Sequence, residues 1–376
     1  MNPADLAPVG PPAVDERLVA AAALVALPKM RPERLSELWK TWPDPLTIVL
    51  AIRSEIAAGV LRASVRDATG LVRHWRSALD LEGTETLIQR RGTHVLVAGT
   101  ERFPIEDGIE HRPTVLLAEG ARADAFDRPR VAVVGTRAAT PHGLADAYEL
   151  GGVLARAGVT VVSGLAIGID AAAHEGALDA HGTVIGVLGT GLDVVYPRRH
   201  DLLHRRVRNS GLLVSEYRHG TGPHQMRFPQ RNRIIAGLSD VVVVVEATQT
   251  GGARITAQRA VEYGRDVCAY PGSRRNPSAR GSNELLRDSA HLILDPEDVL
   301  GIVGLTPGDR RTSASAIAVP GTLDEHAVIT ALGGEAATVD EITARSGLSP
   351  GTTAMAVAGL VRAGLIRRAN GLLWPM

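Results

Sequence analysis

Two arginines precede a glycine-rich turn in one short segment, and together they suggest anion binding. Arg231 and Arg233 flank Asn232, and the later turn contains Gly251 and Gly252. Guanidinium groups form bidentate hydrogen bonds with phosphate. A glycine-rich turn from a parallel strand into a helix presents free backbone N–H groups at the positive end of the helix dipole. The segment therefore predicts a phosphate-binding site.

An alternation of strands and helices must position this segment. Val241 to Val245 form an unbroken β-branched run, which is typical of a strand buried on both faces of a parallel sheet. We predict that the turn spans residues 250–254 and that a helix starts at Ile255. Further strands are predicted at 131–134, 159–162, 183–188, 212–214 and 266–269. With helices between them, these strands predict an α/β fold with a Rossmann-like, doubly wound parallel sheet.

Polar and glycine residues follow these strands one after another. In a doubly wound sheet, ligands bind outside the carboxyl ends of the strands. Glu216 and Glu246 could act there as acid and base, or could simply accept hydrogen bonds from nearby arginines. We expect one continuous rim made of the following residues: Arg137, Ser163, Gly164, Gly189, Gly191, Glu216, Glu246, Gly251 and Gly252.

Arginines and aromatic residues are concentrated near this rim. The arginines are Arg137, Arg227, Arg231, Arg233, Arg254, Arg274, Arg275 and Arg280. Several cations along one rim suit an extended phosphate backbone better than one small ligand. Phe228, Tyr217 and Tyr270 offer a base a stacking surface, although each of them fits equally well as a core residue.

The composition is that of a globular protein with no overall preference for a polyanion. The 376 residues allow two or three domains, and 41 basic residues balance 41 acidic ones. No apolar run approaches the ~20 residues that cross a bilayer, and the Pro-rich, acidic amino terminus lacks the features of a signal peptide. We therefore expect a cytoplasmic protein with no membrane partner. The single cysteine, Cys268, excludes an internal disulfide and a cysteine-based zinc site.

Breaker residues and periodicity divide the chain into modules. We predict a disordered tail at 1–14, a small helical domain at 15–80, an extended Rossmann-like domain at 90–300, a linker at 301–321 and a winged-helix domain at 322–376. The helical module is of the sterile-alpha-motif or helix-hairpin-helix kind. Its turn at 27–32 has no glycine, so it fits a partner contact at least as well as DNA binding. The second helix of the carboxyl-terminal module offers only Arg362 as a cation, which leaves DNA and protein as alternative partners.

The motifs of several enzyme classes are absent from the sequence. Gly189 and Gly191 start a dinucleotide fingerprint, but Val194 stands where its last glycine should be. Neither lysine follows a glycine, which excludes a P-loop, and no serine lies in a G-x-S-x-G motif. Asp170 and His174 suit a helix cap and a structural side chain better than catalysis. We therefore expect no catalytic site, cofactor or metal.

A series of motifs between residues 95 and 300 points to a known family. The motifs are Gly135–Arg137 with Pro141–Gly143, Ser163–His174, Gly191–Pro197, Ser215–Tyr217, Phe228–Ser239, the turn at Gly251 and Gly252, Pro271–Ser273 and Arg280–Asn283. In this order they resemble the DNA-processing protein A (DprA/Smf) family. The resemblance is dense across this range and extends loosely to both flanking modules.

The resemblance implies a Rossmann-fold protein without catalytic chemistry. Members of the family bind and protect single-stranded DNA, load a RecA-type recombinase onto it during natural transformation, and work as dimers. The resemblance and the rim arginines together give these expected DNA-contacting residues: Arg137, Ser163, Gly164, Arg227, Phe228, Arg231, Asn232, Arg233, Gly251, Gly252, Arg254 and Thr256.

Two positions depart from the pattern of the family. Ile167 stands where the family commonly has arginine, and the turn at 250–256 reads TGGARIT rather than the usual SGS-L-IT. We hypothesise that Arg254 replaces the cation that is lost at position 167. An unchanged DNA affinity after Arg254→Glu would contradict this hypothesis.

Two other functions remain open on the sequence. Related Rossmann proteins with a glycine-pair loop are nucleotide phosphoribohydrolases, but Gly251 and Gly252 lack the preceding proline and the following glutamate of that motif. The other alternative is a double-stranded DNA regulator that acts through the winged helix. The shortage of cations in its second helix argues against this alternative.

Overall fold

The computed structural model describes residues 14–305, 323–332, 337–362, 366–369 and 372–375. These residues belong to two compact units, one up to Arg311 and the other from Thr312 onward. The predicted tail lies outside the described residues except for Val14, and the predicted linker lies outside them except for residues 301–305. The other predicted domain boundaries stay predictions.

Six helices form the first part of the larger unit. They are α1 (Glu16–Ala26), α2 (Pro32–Thr41), α3 (Pro45–Arg53), α4 (Ala57–Leu61), α5 (Ala68–Ala78) and α6 (Leu81–Arg91). Aspartates cap α1, α3, α5 and α6 by accepting a hydrogen bond from a backbone N–H of the first turn. The buried indole of Trp75 donates to the carbonyl of Pro28 at 2.8 Å, which ties α5 to the turn after α1.

Nine strands form one mostly parallel sheet. They are β1 (His94–Val97), β2 (Val115–Gly120), β3 (Arg130–Val134), β4 (Thr160–Ser163), β5 (Val184–Val187), β6 (Gly211–Ser215), β7 (Val241–Val244), β8 (Asp266–Ala269) and β9 (His291–Leu292). Their order is β1-β2-β6-β5-β4-β3-β7-β8-β9. The pairs β1–β2 and β2–β6 are antiparallel, and all other pairs in this sheet are parallel.

Helices cover both faces of the sheet. They are α7 (Pro141–Arg156), α8 (Ile169–Asp179), α9 (Asp201–Ser210), α10 (Arg227–Leu238), α11 (Gly252–Glu262), α12 (Arg280–Arg287) and α13 (Asp298–Ile302), with 3₁₀ turns at Ala123–Phe126, Arg198–His200 and Pro277–Ala279. Side chains of β3 alternate between two cores. Val131 and Val133 pack in the core that contains α7 and α8, whereas Ala132 and Val134 pack in the core that contains α10 and α11. The predicted Rossmann-like class is confirmed.

The strand order reverses between β3 and β7. From β3 the chain proceeds through β4, β5 and β6 on one side, and then returns to β7, β8 and β9 on the other side. Such a reversal opens a crevice at the carboxyl ends of the two central strands, which is the usual ligand position in doubly wound sheets.

The smaller unit is a winged helix. Its helices are α14 (Leu323–Leu332), α15 (Val339–Ser346) and α16 (Pro350–Arg362), and its strands β10 (Ile366–Ala369) and β11 (Leu372–Pro375) pair antiparallel. A capping box between Thr338 and Glu341 starts α15. Val328, Ile342 and Leu360 form part of the small core between the helices.

Two further findings concern the cysteine thiol and the helices that could span a membrane. Cys268 is fully buried in β8, and burial raises the pKa of its thiol to about 12, which disfavours the reactive thiolate. Among the described residues, none of the helices combines the length and the apolar character that a bilayer span requires.

Candidate functional site

An exposed cation and two aromatic rings meet at the carboxyl edge of the sheet. Arg137 follows β3, and its guanidinium carbon lies 5.4 Å from the ring centroid of Phe228, in the first turn of α10. Phe228 stacks on Tyr196, with 5.1 Å between ring centroids and 28° between ring planes. Tyr196 is 40% exposed, so one ring of the stack is open to solvent. We call Arg137, Tyr196 and Phe228 the aromatic platform.

Glycines allow the elements of the platform to approach closely. A Cβ atom on Gly189, at the end of β5, would lie 3.0 Å from the ring of Phe228. Gly168 has a φ of 88°, and a Cβ atom there would lie 2.4 Å from the carbonyl oxygen of Thr136 in the loop that carries Arg137. Only glycine fits this combination of positive φ and backbone contact.

Arg137 is the free cation of the platform. Its side chain is exposed, and it makes no hydrogen bond or ion pair with any residue that the structure describes. Its interaction with the face of Phe228 holds the guanidinium beside the ring without consuming its N–H groups. Five donors therefore remain for a phosphate or a base.

Arg231 lies below the surface, in contrast to its expected place among the exposed phosphate ligands. Only 4% of the residue is exposed, and its guanidinium donates to the carbonyl oxygens of Gly164, at 2.7 Å, and Val187. Burial lowers its pKa to about 10, which leaves it charged at neutral pH. Arg231 thus ties α10 to the ends of β4 and β5.

Asp170 supports the loop that follows β4, which also contains a carbonyl group bound by Arg231. Its carboxylate accepts hydrogen bonds from the backbone N–H groups of Gly164, at 3.1 Å, and Ala166, at 3.4 Å. Burial raises the pKa of Asp170, and the charge of Arg231 opposes that rise. His174 is fully buried, and burial lowers its pKa to about 3, so it is neutral. His174 thus has the surroundings of a structural side chain, as expected. The expected helix-cap role of Asp170 is wrong, because Gly168 is the N-cap residue of α8 and the carboxylate binds the loop before the helix instead.

Two hydroxyl groups of the expected site point into the protein. Ser163 is fully buried and donates to the carbonyl of Val133 at 2.6 Å. Thr256 is 1% exposed, and its hydroxyl lies 3.4 Å from the carbonyl of Gly252 within α11. Their side chains hold the backbone and are not open to a ligand.

The other expected arginines already have partners. Arg233 pairs with the buried carboxylate of Glu216 at 2.5 Å. Arg254 pairs with Glu284, so part of the charge that could replace a cation at position 167 is neutralised. Arg227 lies over the ring of Tyr217, 5.3 Å from its centroid, and donates to a nearby backbone carbonyl.

The glycine-rich turn is shorter than predicted. The helix expected to start at Ile255 starts at Gly252, with Gly251 as its N-cap residue, so Arg254 lies in the first helical turn. Asn232 of α10 donates to the carbonyl of Gly252 at 3.2 Å and joins the two helices. Glycine is acceptable at an N-cap, which is why a turn signal and a helix start coincide here.

Of the three aromatic residues considered for stacking, only Phe228 is accessible. Tyr217 and Tyr270 are 8% and 7% exposed and belong to the interior. Sequence reasoning did not select Tyr196, although its motif was part of the family resemblance. Exposed Arg198 and Arg199, which closely follow Tyr196, were missed as well, whereas the predicted Arg274, Arg275 and Arg280 are exposed.

Comparison with known proteins gives a consistent assignment. The family described as DNA recombination-mediator protein A matches residues 94–304, and the DprA winged helix domain matches residues 312–371. The DprA-named protein of Mycobacterium tuberculosis is 37% identical over 312 residues, covering 79% of each chain. The DNA processing protein DprA of Bacillus subtilis is 31% identical over 271 residues, covering 72% of this chain and 90% of its own.

A solved structure agrees with these matches. The structure of DNA processing protein A from Streptococcus pneumoniae superposes with a TM-score of 0.63 at 30% sequence identity. The match covers 77% of this chain and 98% of that one. The fold, the ordered motifs and the matched length lead to one assignment: the chain belongs to the DNA recombination-mediator protein A (DprA/Smf) family.

Proposed function

We propose that this protein binds single-stranded DNA through the aromatic platform. The observation that carries the proposal is the stack of Arg137, Phe228 and Tyr196, with a free guanidinium at one end and an exposed ring at the other. Base stacking on such rings is tolerant of sequence, because every base has a π-face. An unpaired base can reach the rings, whereas a base inside a duplex cannot.

Exposed arginines around the platform would bind the phosphates of the strand. Arg198 and Arg199 follow Tyr196, and Arg274, Arg275 and Arg280 follow β8. Arg231, Arg233 and Arg254 would support the site and not bind phosphates directly, because they are buried or paired with carboxylates. Gly164 and Ser163 would form the bottom of the site, and buried Thr256 would support the Gly251–Gly252 turn. That turn, Asn232 and Arg227 would lie beside the strand.

The role in recombination is part of the same proposal. The name of the matching family and the absence of recognised catalytic motifs in the sequence support a mediator that performs no reaction of its own. We propose that the protein protects single-stranded DNA and loads a RecA-type recombinase onto it during DNA uptake and recombination. We further propose that it acts as a homodimer in the cytoplasm.

The first experiment compares fluorescent single- and double-stranded oligonucleotides of the same length across a salt series. We expect tighter binding of the single strand and a steep loss of affinity with salt, because each phosphate contact releases counterions. Tighter binding of the duplex would instead favour the winged helix as the DNA reader. Recombinase loading is tested separately, by filament formation on single strands that are already covered with a single-strand binding protein.

The winged helix itself gives little support to the duplex alternative. Met355 is 78% exposed and Val361 is 39% exposed on α16, the helix that would enter a groove. Apolar side chains at these places suit a protein contact better than a DNA contact. The larger unit therefore carries the proposed binding of DNA.

A further inference from the structure

A polar cavity lies close to the aromatic platform, where the strand order reverses between β3 and β7. Its volume is about 210 Å³, which is less than the ~300–1,000 Å³ typical of pockets for drug-sized ligands. The polar residues of its lining are Thr140, His142, Asp146, Glu246, Ser273 and Asn276. A cavity of this size suits one planar ring group better than a dinucleotide.

The cavity is within reach of a strand bound on the platform. Thr140 follows Arg137 in the same loop, and the chain between them spans at most about 11 Å. Neighbouring nucleotides of one extended strand can therefore occupy the platform and the cavity together.

Glu246 shapes the cavity but has little capacity left for a ligand. Its carboxylate accepts from the backbone N–H of Thr140 at 2.9 Å and from the hydroxyl of Thr140 at 2.6 Å. The amide of Asn276 approaches it at 3.4 Å. Gly143 makes room for this carboxylate, because a Cβ atom there would lie 2.5 Å from the carboxyl carbon.

Asp146 is the second carboxylate of the cavity lining, and its oxygens remain available as acceptors. It is half-buried, and it makes no hydrogen bond or ion pair with the residues described in the structure. Burial raises its pKa, the nearby charges of Glu149 and Glu246 raise it further, and His142 opposes this rise. A carboxylate in such surroundings is stabilised by a ligand that donates hydrogen bonds.

We propose that this cavity accepts one base of the bound strand and that Asp146 receives the exocyclic amino group of that base. The inference rests on the proposed binding of single-stranded DNA. Carboxylates commonly accept from the amino group of cytosine, and thymine has no such group. Arg274 and Arg275, which are exposed next to Ser273, place cations where the flanking phosphates would pass. The cavity therefore prefers cytosine to thymine, a base of the same ring size.

The test measures the affinity of the full chain for oligo-dC and oligo-dT of equal length. We expect the wild type to bind oligo-dC about tenfold more tightly, which corresponds to one good base contact. Asp146→Leu should bring the ratio close to one. Its affinity for oligo-dT should differ from that of the wild type only through the loss of one negative charge. Glu149→Leu is the matched control, because it removes a carboxylate from the same helix but not from the cavity lining. It should keep the tenfold ratio.

The outcomes separate the cavity from the platform. If Asp146→Leu and the wild type show the same ratio while both bind single strands, the cavity proposal is overturned and the proposed function stands. If the wild type binds neither oligonucleotide, the proposed binding of single-stranded DNA fails. A titration with dCMP and dTMP, followed by NMR shifts, then tests the cavity itself: selective dCMP binding that Asp146→Leu abolishes supports it, and its absence overturns it.

Discussion

Replacement of Arg231 by methionine should destabilise the larger unit without directly removing a DNA contact. Methionine keeps much of the apolar length of the side chain and removes the guanidinium. Arg231 is 4% exposed, and its guanidinium donates to the carbonyls of Gly164 and Val187. The carbonyls would lose their donor, and Asp170 would lose the main cation that offsets its burial.

The expected loss of unfolding free energy is about 3–5 kcal/mol. Hydrogen bonds from a charged group contribute about 1.5–3 kcal/mol each. Removal of one member of a buried charge pair in direct contact costs about 3–5 kcal/mol; Arg231 acts on Asp170 through its charge without a direct ion pair, so this figure is an upper limit for the loss at Asp170. The two estimates describe the same event, because the lost hydrogen bonds and the uncompensated Asp170 arise from one substitution. They are therefore not added.

Urea denaturation of the full chain gives the measurement, with Arg137→Met as the matched control. The same chemical change at an exposed position should alter the unfolding free energy by less than about 0.5 kcal/mol. It should nevertheless weaken single-strand binding, because Arg137 is the free cation of the platform. Arg231→Met should thus lose mainly stability, whereas Arg137→Met should lose mainly affinity for single strands.

The opposite result would refute this assignment of roles. If Arg231→Met unfolds at the same urea concentration as the wild type while its single-strand affinity falls as far as that of Arg137→Met, the guanidinium of Arg231 contacts DNA. The sequence-based expectation would then be correct, and the buried position would not represent the DNA-bound protein.

Three further predictions follow from the same contacts. Tyr196→Ala should weaken single-strand binding by about 1–3 kcal/mol, the usual contribution of one stacked base, whereas Tyr196→Phe should retain the affinity; equal losses in both variants would contradict stacking as the cause. His174 and His204 have pKa values of about 3 and about 4 because burial disfavours their charged forms, and the unfolded chain takes up these protons near pH 6.5. Stability should therefore fall as the pH decreases from about 6.5 to 4, and His174→Phe should flatten this profile in urea titrations; a profile identical to that of the wild type would show that His174 does not contribute. Gly168→Ala should lower the unfolding free energy by about 1–3 kcal/mol, because a Cβ atom would meet the carbonyl of Thr136 at a φ of 88°; thermal unfolding unchanged from the wild type would argue against a rigid loop at this place.

The sequence alone determined the parallel part of the sheet in the larger unit, whereas the antiparallel pairing of β1 and β2 was not predicted. The β-branched run at 241–245 and its counterparts predicted parallel strands, because strands buried on both faces need apolar side chains on both. The position of the rim followed from topology, since parallel strands place their carboxyl ends at one edge. The ordered motifs also identified the family, because they reflect local backbone requirements and specific side chains that can be recognised along the chain.

Only the tertiary structure decided which members of the rim are open to a ligand. Arg137 and Arg231 are the same residue type near the same edge, but one is exposed and the other is almost fully buried. Tyr196 gains its importance from contact with Phe228, which is distant in sequence. Burial, ion pairing and stacking depend on side chains that distant segments bring together. The residue types at the rim can therefore be predicted locally, whereas their accessibility depends on how the whole sheet and its helices pack.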